Sequence, residues 1–180
     1  MITTNRQLIK HGPVSVTSPN KSQYTYLLLF SDVAVFASPS AKSAKKLDMK
    51  EIVQLEQVWV DAMKDTSSAE LMWQLNAPGN TFLVASANRE DKTLWVDRCH
   101  QRIVATCQKN RVMEGERRKF QFEFKDGAIY DGTWTDAKFD GMGKQCFADK
   151  VHDTHHARTH AHDTRHPHPH PHPHPHTRSN

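Results

Sequence analysis

The sequence predicts a mostly β chain: an antiparallel barrel of short strands closed by one C-terminal helix, then a β-hairpin unit and a disordered His/Pro tail. Three observations predict it. Short β-branched and aromatic runs are punctuated by turn clusters over residues 5 to about 110. The apolar period switches to every fourth residue across Arg89–Lys109. Composition then breaks twice, becoming rich in Gly, Phe and Asp over 118–150 and low in complexity over 151–180. A length of 180 residues suits one domain with a small appendage.

Gln7–Val16 reads as a strand interrupted by Gly12-Pro13, which predicts a bulge or an edge position. Thr17-Ser-Pro-Asn-Lys-Ser is a turn cluster. Tyr24–Phe30 and Val33–Ala37 flank Ser31-Asp32 and so form a tight hairpin. Ser38 to Lys46 reads as a polar loop, and Ile52–Met63 as one strand region with Val58, Val60 and Ala62 alternating against Trp59 and Asp61. Leu71–Leu75 and Thr81–Ala85 flank the turn Asn76-Ala-Pro-Gly-Asn and make another hairpin. In Arg89–Lys109, Trp95, Cys99, Ile103 and Cys107 form one apolar stripe. Asn88 is the expected N-cap, and Glu90 and Asp91 suit the positive end of the helix dipole. A lone amphipathic helix after strands must bury its stripe, and closing the barrel with Trp95 as plug is the natural solution.

Composition excludes several classes. Residues 1–150 carry 21 basic and 18 acidic groups, too balanced for a nucleic-acid-binding face. The longest apolar runs, Leu27–Phe30 and Val33–Ala37, fall far short of the ~18 residues of a membrane span. The start, Met1-Ile-Thr-Thr-Asn-Arg, lacks an apolar signal region, and Cys99, Cys107 and Cys146 cannot all pair, so reduced thiols in the cytoplasm are expected. No phosphate loop, Gly-x-Ser-x-Gly, His-Glu-x-x-His or dinucleotide fingerprint occurs. Cys99 and His100 are adjacent on the helix and point about 100° apart, so they do not form a nucleophile–base pair. Asp126, Asp131, Asp136 and Asp140 recur with hairpin spacing and read as turn residues. No catalytic residue and no cofactor are expected.

Leu8-Ile-Lys-His-Gly-Pro-Val, Tyr26-Leu-Leu-Leu-Phe-Ser-Asp-Val-Ala-Val-Phe-Ala-Ser-Pro-Ser and Glu90-Asp-Lys-Thr-Leu-Trp-Val-Asp-Arg resemble pleckstrin-homology (PH) domains, in particular those that follow Dbl-homology exchange domains. The resemblance implies a PH domain over 5–110. Some PH domains hold phosphoinositide heads with cations on their first two strands, where Lys10 and Lys21 stand here. Gln23 occupies the place of a further Arg, so weak attraction to anionic membranes is expected rather than head-group selection, with the loop lysines Lys42, Lys45 and Lys46 contributing.

Phe120, Phe122 and Phe124 alternate with Gln121 and Glu123, and Lys125-Asp126-Gly127-Ala128 supplies a turn. The following Tyr130-Asp-Gly132-Thr-Trp134, six residues and Gly141-Met-Gly143 is similar to a MORN repeat, with Ala137 where that family often has Gly. One repeat with its lead-in strand over 118–150 lacks the neighbours that bury such a face. The expectation is therefore partly exposed aromatics awaiting a partner, a second copy among the candidates; the alternative is a hairpin packed back onto the barrel. A Dbl-associated PH domain followed by a MORN unit resembles the alsin family, truncated. That resemblance implies a non-catalytic adaptor in endosomal trafficking whose partners are a small GTPase or a full-length alsin-like protein.

In the tail, His166, His168, His170, His172, His174 and His176 alternate with proline, giving an extended polyproline-like run, preceded by His155, His156, His160 and His162. Neutral imidazoles are ligands for Zn, Ni or Cu, the alternative function. The stiff alternation cannot easily wrap one ion, and residues 151–180 share no character with the preceding repeat. Residues after about Val151 read rather as the product of an alternative splice, retained intron or frameshift, which leaves a truncated product without stable function as a further alternative.

Overall fold

Leu27 and Leu29 point inward from one strand, and Ala34 and Phe36 from the next, across a bend only two residues long. This hairpin joins β2 (Lys21–Phe30) to β3 (Val33–Ser40) at Ser31-Asp32, as the sequence predicts. Arg6 anchors the bend with two hydrogen bonds of 2.7 Å to the Asp32 carboxylate. The structure, a computed structural model, describes residues 6–18, 21–64, 66 and 71–147.

β1 (Leu8–Ser18), β4 (Ser43–Gln54), β5 (Trp59–Asp61), β6 (Met72–Ala77) and β7 (Asn80–Ala85) complete one bent antiparallel sheet, ordered β4-β3-β2-β1-β7-β6-β5. Pro13 lies opposite Tyr26, in the part of β1 that pairs with β2 but not β7, so its missing N–H interrupts no second ladder. The bulge itself sits between Leu8 and Lys10.

Two expectations are corrected. The Ser38 to Lys46 segment is a hairpin rather than a loop, turning at Ala41-Lys42, with β3 running to Ser40 and β4 starting at Ser43. Ile52–Met63 is not one strand. A 3-10 turn, Leu55–Gln57, separates β4 from β5. Its cause is visible in the spacing of the buried residues Val53, Leu55 and Val58, where an interval of two becomes an interval of three. The Leu55 N–H donates to the Asp32 carbonyl at 3.0 Å and fixes the corner.

Helix α1 (Arg89–Asn110) closes one end of this barrel. Asn88 caps it by accepting from the Asp91 N–H at 2.8 Å, and Arg111, left-handed at φ 55°, ends it. All four stripe residues, Trp95, Cys99, Ile103 and Cys107, are buried in the barrel core. The Trp95 ring stacks on Trp73 at 6.3 Å between centroids. Arg102 and Thr106 both donate to the Ser31 carbonyl, at 2.9 and 3.0 Å, tying the helix to the β2–β3 bend.

A second sheet begins at Met113, earlier than the composition break suggests. β8 (Met113–Glu114), β9 (Arg117–Glu123), β10 (Ile129–Thr135) and β11 (Lys138–Cys146) are ordered β11-β10-β9-β8. Gly127, at φ 81°, makes the β9–β10 turn, with the Asp126 carboxylate accepting from the Ala128 N–H at 3.0 Å. The β10–β11 turn is two residues long, and both Asp136 (φ 48°) and Ala137 (φ 60°) are left-handed.

Most of the aromatic face of this sheet is covered, which corrects the expectation of partly exposed rings at Phe120, Tyr130 and Trp134, while Phe122 and Phe124 are half-buried. Tyr130 and Trp134 are each 1% exposed. Phe120 stacks on Trp134 at 5.2 Å with the rings 3° from parallel, and Phe122, Phe124, Phe139 and Trp59 of β5 pack around them. The alternative holds: the sheet folds back onto the barrel, at the edge made by β5 and the 3-10 turn.

Candidate functional site

The cations expected to meet a membrane are distributed unevenly. Lys10 on β1 places its ammonium 3.0 Å from the Asp91 carboxylate and 4.4 Å from the centre of the Trp95 ring. It therefore covers the barrel plug and partners a helix residue, and its side chain is only 17% exposed to an approaching phosphate. Lys46 on β4 is exposed, as are Lys42 in the β3–β4 turn and Lys50 further along the strand. Between them β4, the edge strand of the sheet, presents Leu47 and Met49, the latter 63% exposed. Cations and apolar side chains thus share one exposed edge. The side chains of Lys21 and Lys45 lie outside the described residues.

In the second sheet the residues of the repeat pattern converge on one ring. Gly132 and Gly143 pair across β10 and β11. A Cβ built on Gly132 would lie 2.5 Å from the Tyr130 ring, and one on Gly143 only 2.2 Å. The two glycines therefore form a floor on which the Tyr130 ring lies flat, walled by Phe139 at 4.2 Å and Trp134 at 4.9 Å between centroids. Burial, with Asp140 and Asp131 nearby, pushes the Tyr130 hydroxyl above its ordinary pKa. Trp134 donates its indole N–H to the Phe120 carbonyl at 3.1 Å. Gly141 serves differently: at φ 86° with open space around it, it supplies backbone conformation rather than room. Of the four aspartates read as turn residues, Asp126 and Asp136 stand in turns, whereas Asp131 and Asp140 lie within β10 and β11. Asp140 accepts from Thr135 at 2.8 Å and pairs with Arg117 at 2.9 Å, and Asp136 accepts from Asn76 at 3.3 Å.

The packing of the second sheet onto the barrel was an alternative in the sequence, but the residues that make the joint were not. Arg118 on β9 is 6% exposed and donates to the carbonyls of Glu56 and Val58. Its guanidinium carbon lies 4.0 Å over the Trp59 ring. No carboxylate pairs with it among the described ion pairs, and burial pulls its pKa below the ordinary guanidinium value. Backbone dipoles and an aromatic face stand in for a counter-ion. Gln57 adds a hydrogen bond to the Gln121 carbonyl at 3.3 Å, and Asn110 donates to Glu56. The signal was present in the sequence: Arg118 is in phase with Phe120 and Phe122, hence inward, and Trp59 lies on the strand face opposite Val58 and Val60.

Beside this joint a cleft of ≈ 530 Å³ separates β4 and the β6–β7 turn from the β9–β10 turn. Ile52, Ala77, Phe82, Phe122 and Phe124 line it, and Glu51, Glu123, Lys125 and Asp126 stand at its rim.

The thiols carry no site. Burial pushes Cys99 up to about 12 and raises Cys107, which keeps both protonated, and Cys146 is a free, half-buried thiol. Among the described residues no three His, Cys, Asp or Glu cluster as metal ligands, and no helix is long and apolar enough to cross a membrane. The histidines expected to bind metal, His166 to His176, lie outside the described residues.

Comparison with known proteins places the barrel. The family model described as the PH domain of Rho GTPase-activating protein 20 matches residues 8–97. Pleckstrin homology domain-containing family F member 2 is 27% identical over 92 residues in both Mus musculus and Homo sapiens, covering 51% of this chain and 36% of theirs. Family F member 1 of Mus musculus is 24% identical over 91 residues, covering 51% and 32%. The matched stretch thus spans about a third of the length of these relatives. Among solved structures, the DH/PH domain of human ARHGEF11 in a ternary complex with human RhoA and its inhibitor superposes with a TM-score of 0.49 at 18% identity, over 56% of this chain and 30% of that one. Vav1 bound to an allosteric inhibitor gives 0.48 at 20% identity, over 65% and 32%. With the family model matching half of its 180 residues, and with seven antiparallel strands plugged by the Trp95 helix, the chain belongs to the PH-domain family of Rho GTPase-activating protein 20.

Proposed function

We propose that this chain is a non-catalytic interaction module of the alsin type, in which a Dbl-associated PH barrel and one MORN repeat act as a single adaptor for small-GTPase regulation on endosomal membranes. The observation that carries the reading is the joint itself. The Tyr130, Gly132, Trp134, Gly141 and Gly143 pattern builds a sheet whose aromatic face packs against the barrel through Arg118 and Trp59. Such a composite surface suits holding other molecules. The family name supports the GTPase side, since the matching PH domain belongs to a Rho GTPase-activating protein.

Membrane contact is assigned to the exposed β3–β4 edge. Lys42, Lys46 and Lys50 flank Leu47 and Met49 there. Each cation adds about 1 kcal/mol near an anionic leaflet, and the apolar pair enters the interface. Lys10 acts in packing. Self-association, where it occurs, runs through β11, the open edge of the second sheet.

Two measurements test the proposal. The chain is mixed with a full-length alsin-like protein and co-precipitated, and it is floated with vesicles containing phosphatidylserine. Capture by both is expected, with flotation falling for Lys46→Glu and unchanged for Lys10→Met. Failure of both assays overturns the adaptor reading.

A further inference from the structure

The aromatic face of the second sheet runs on past the wall that covers it. Phe120 packs against Trp59, whereas Phe122 and Phe124, further along β9, are half-buried and overhang the cleft beside the joint. Ile52, 44% exposed, and the buried Ala77 and Phe82 complete its apolar lining. The rim is net acidic. Glu51, Glu123 and Asp126 stand there against Lys125, whose ammonium lies 4.0 Å from Glu51. That charge repels an anionic leaflet or a phosphate and attracts a cationic partner.

Strand edges flank the cleft as well. The Leu55 N–H donates to the Asp32 carbonyl in register with the Val33–Gln54 pairing of β3 and β4. Hydrogen-bonded pairs alternate along an antiparallel ladder, so Val53 bonds to β3 while Ile52 and Gln54 turn both N–H and C=O away from it. On that side β4 has no neighbouring strand among the described residues. Across the cleft, the Phe124 N–H donates to the Ala128 carbonyl at 2.7 Å. By the same alternation Glu123 turns its N–H and C=O away from β10, and β8 pairs no further along β9 than Arg118. Ile52, Gln54 and Glu123 all line the cleft.

We infer that the cleft takes an extended, basic segment of a partner protein with apolar residues at alternate positions. Its backbone adds to the edge at Ile52 and Gln54, and its apolar side chains cover Phe122 and Phe124. Its cations meet Glu51, Glu123 and Asp126, and compete with Lys125 for the first of these. Aromatic lining, acidic rim and outward-facing backbone are each matched by one feature of such a strand. This inference is independent of the alsin-type reading, whose assays use neither this cleft nor a peptide.

The probe is a dye-labelled octapeptide of alternating arginine and valine, titrated with the full chain at low salt and followed by fluorescence anisotropy. Saturable binding with a Kd below ~1 mM is expected, and none for the matching octapeptide of glutamate and valine. Glu51→Gln with Glu123→Gln weakens binding about fivefold at unchanged Tm, and Lys125→Gln, which releases Glu51, strengthens it about twofold. Residue-resolved amide exchange reads the pose. Peptide at ten times its Kd slows exchange at Ile52 and Gln54 about tenfold, while Val53, whose N–H β3 already holds, is unchanged. Absence of binding overturns the proposal, as does equal binding of the glutamate peptide or binding indifferent to the glutamine pair. So does bound peptide that leaves Ile52 and Gln54 unprotected. Competition by arginine amide at the octapeptide's own concentration would make this a site for a lone cation, and overturns it. Slowing without peptide that rises with protein concentration also does so, since a second copy then fills the cleft.

Discussion

Replacing Gly143 by Ala should destabilise the second sheet far more than a methyl group on a strand normally does, and the effect should vanish when Tyr130 is removed. The new Cβ would stand 2.2 Å from the Tyr130 ring, where ordinary contact begins near 3.4 Å. The ring cannot retreat, because Phe139 and Trp134 hold its other sides at 4.2 and 4.9 Å. Either the strands separate or the ring is expelled. Expulsion forfeits about 2–3 kcal/mol of burial for a side chain of this size, and residual strain of ~1 kcal/mol brings the cost of Gly143→Ala to about 3–4 kcal/mol. Tyr130→Ala by itself costs about 3–5 kcal/mol through the cavity it leaves. In that background the Gly143→Ala methyl enters vacant space and relieves the strand entropy of glycine, so it costs nothing or gains ~0.5 kcal/mol. The double mutant is thus no worse than Tyr130→Ala, a coupling of about 3 kcal/mol. Gly141→Ala is the internal control: with nothing within 4 Å but φ at 86°, it costs about 1–2 kcal/mol whether or not Tyr130 is present. Urea unfolding followed by tryptophan fluorescence measures the parent chain and the five variants. Additivity of the Tyr130 and Gly143 substitutions within ~0.5 kcal/mol refutes the idea of a glycine floor.

Other expectations follow from the same contacts. Arg118→Ala leaves the Glu56 and Val58 carbonyls without their donor and uncovers Trp59, so stability falls by about 2–4 kcal/mol in urea titrations, with exchange rising first in β5 and β9. Ala137→Gly relieves a left-handed alanine at φ 60° and raises stability by about 0.5–1 kcal/mol; a loss instead would show that the turn is unstrained. Cys99 is pushed up to about 12 by burial, so the folded state holds its proton more tightly than the unfolded chain does. That contribution is complete below the unfolded value of about 8.5 and is lost as pH rises from there toward 12, by up to ~1.4 kcal/mol per pH unit. Cys99→Ala should flatten the alkaline limb of the stability profile, and in native protein a thiol reagent should modify Cys146 before either helix cysteine.

The barrel was legible because its signals are local. The Ser31-Asp32 bend, the Asn76 to Asn80 turn and the fourfold stripe of α1 each depend on residues a few positions apart, and a period of two or four survives whatever packs on it. The Asn88 cap was legible for the same reason. The break at Leu55–Gln57 was not read, because its cue is one extra residue between inward positions, and a strand of mixed apolar residues hides that slip. At the candidate site, Lys10 was placed on the right strand, but its commitment to Asp91 spans 81 residues of sequence. Burial of Tyr130 and Trp134 turned on the same kind of distance. The repeat pattern announces an aromatic face, yet what covers it is Trp59, a residue that looks like the odd member of another strand.

That long-range pairing answers a difficulty each half has alone. β5 is three residues long and ends the barrel sheet, an edge with little to hold it in place. The four-stranded sheet has an aromatic face too large to leave in water and, within these residues, no repeating neighbour to cover it. Packing one against the other removes both problems. Trp59 gains a wall, Phe120 and Trp134 gain a floor, and Arg118 satisfies the two carbonyls that the 3-10 corner turns outward. The barrel therefore acts toward the second sheet as a capping repeat acts at the end of an array. Among the described residues, what remains open is the far side of the sheet, where β11 pairs with β10 alone. The acidic cleft lies within two strands of the Cys146 end of β11, because Cys146 pairs with Ile129 and Ile129 with Glu123, so joint and cleft belong to the same end of the second sheet.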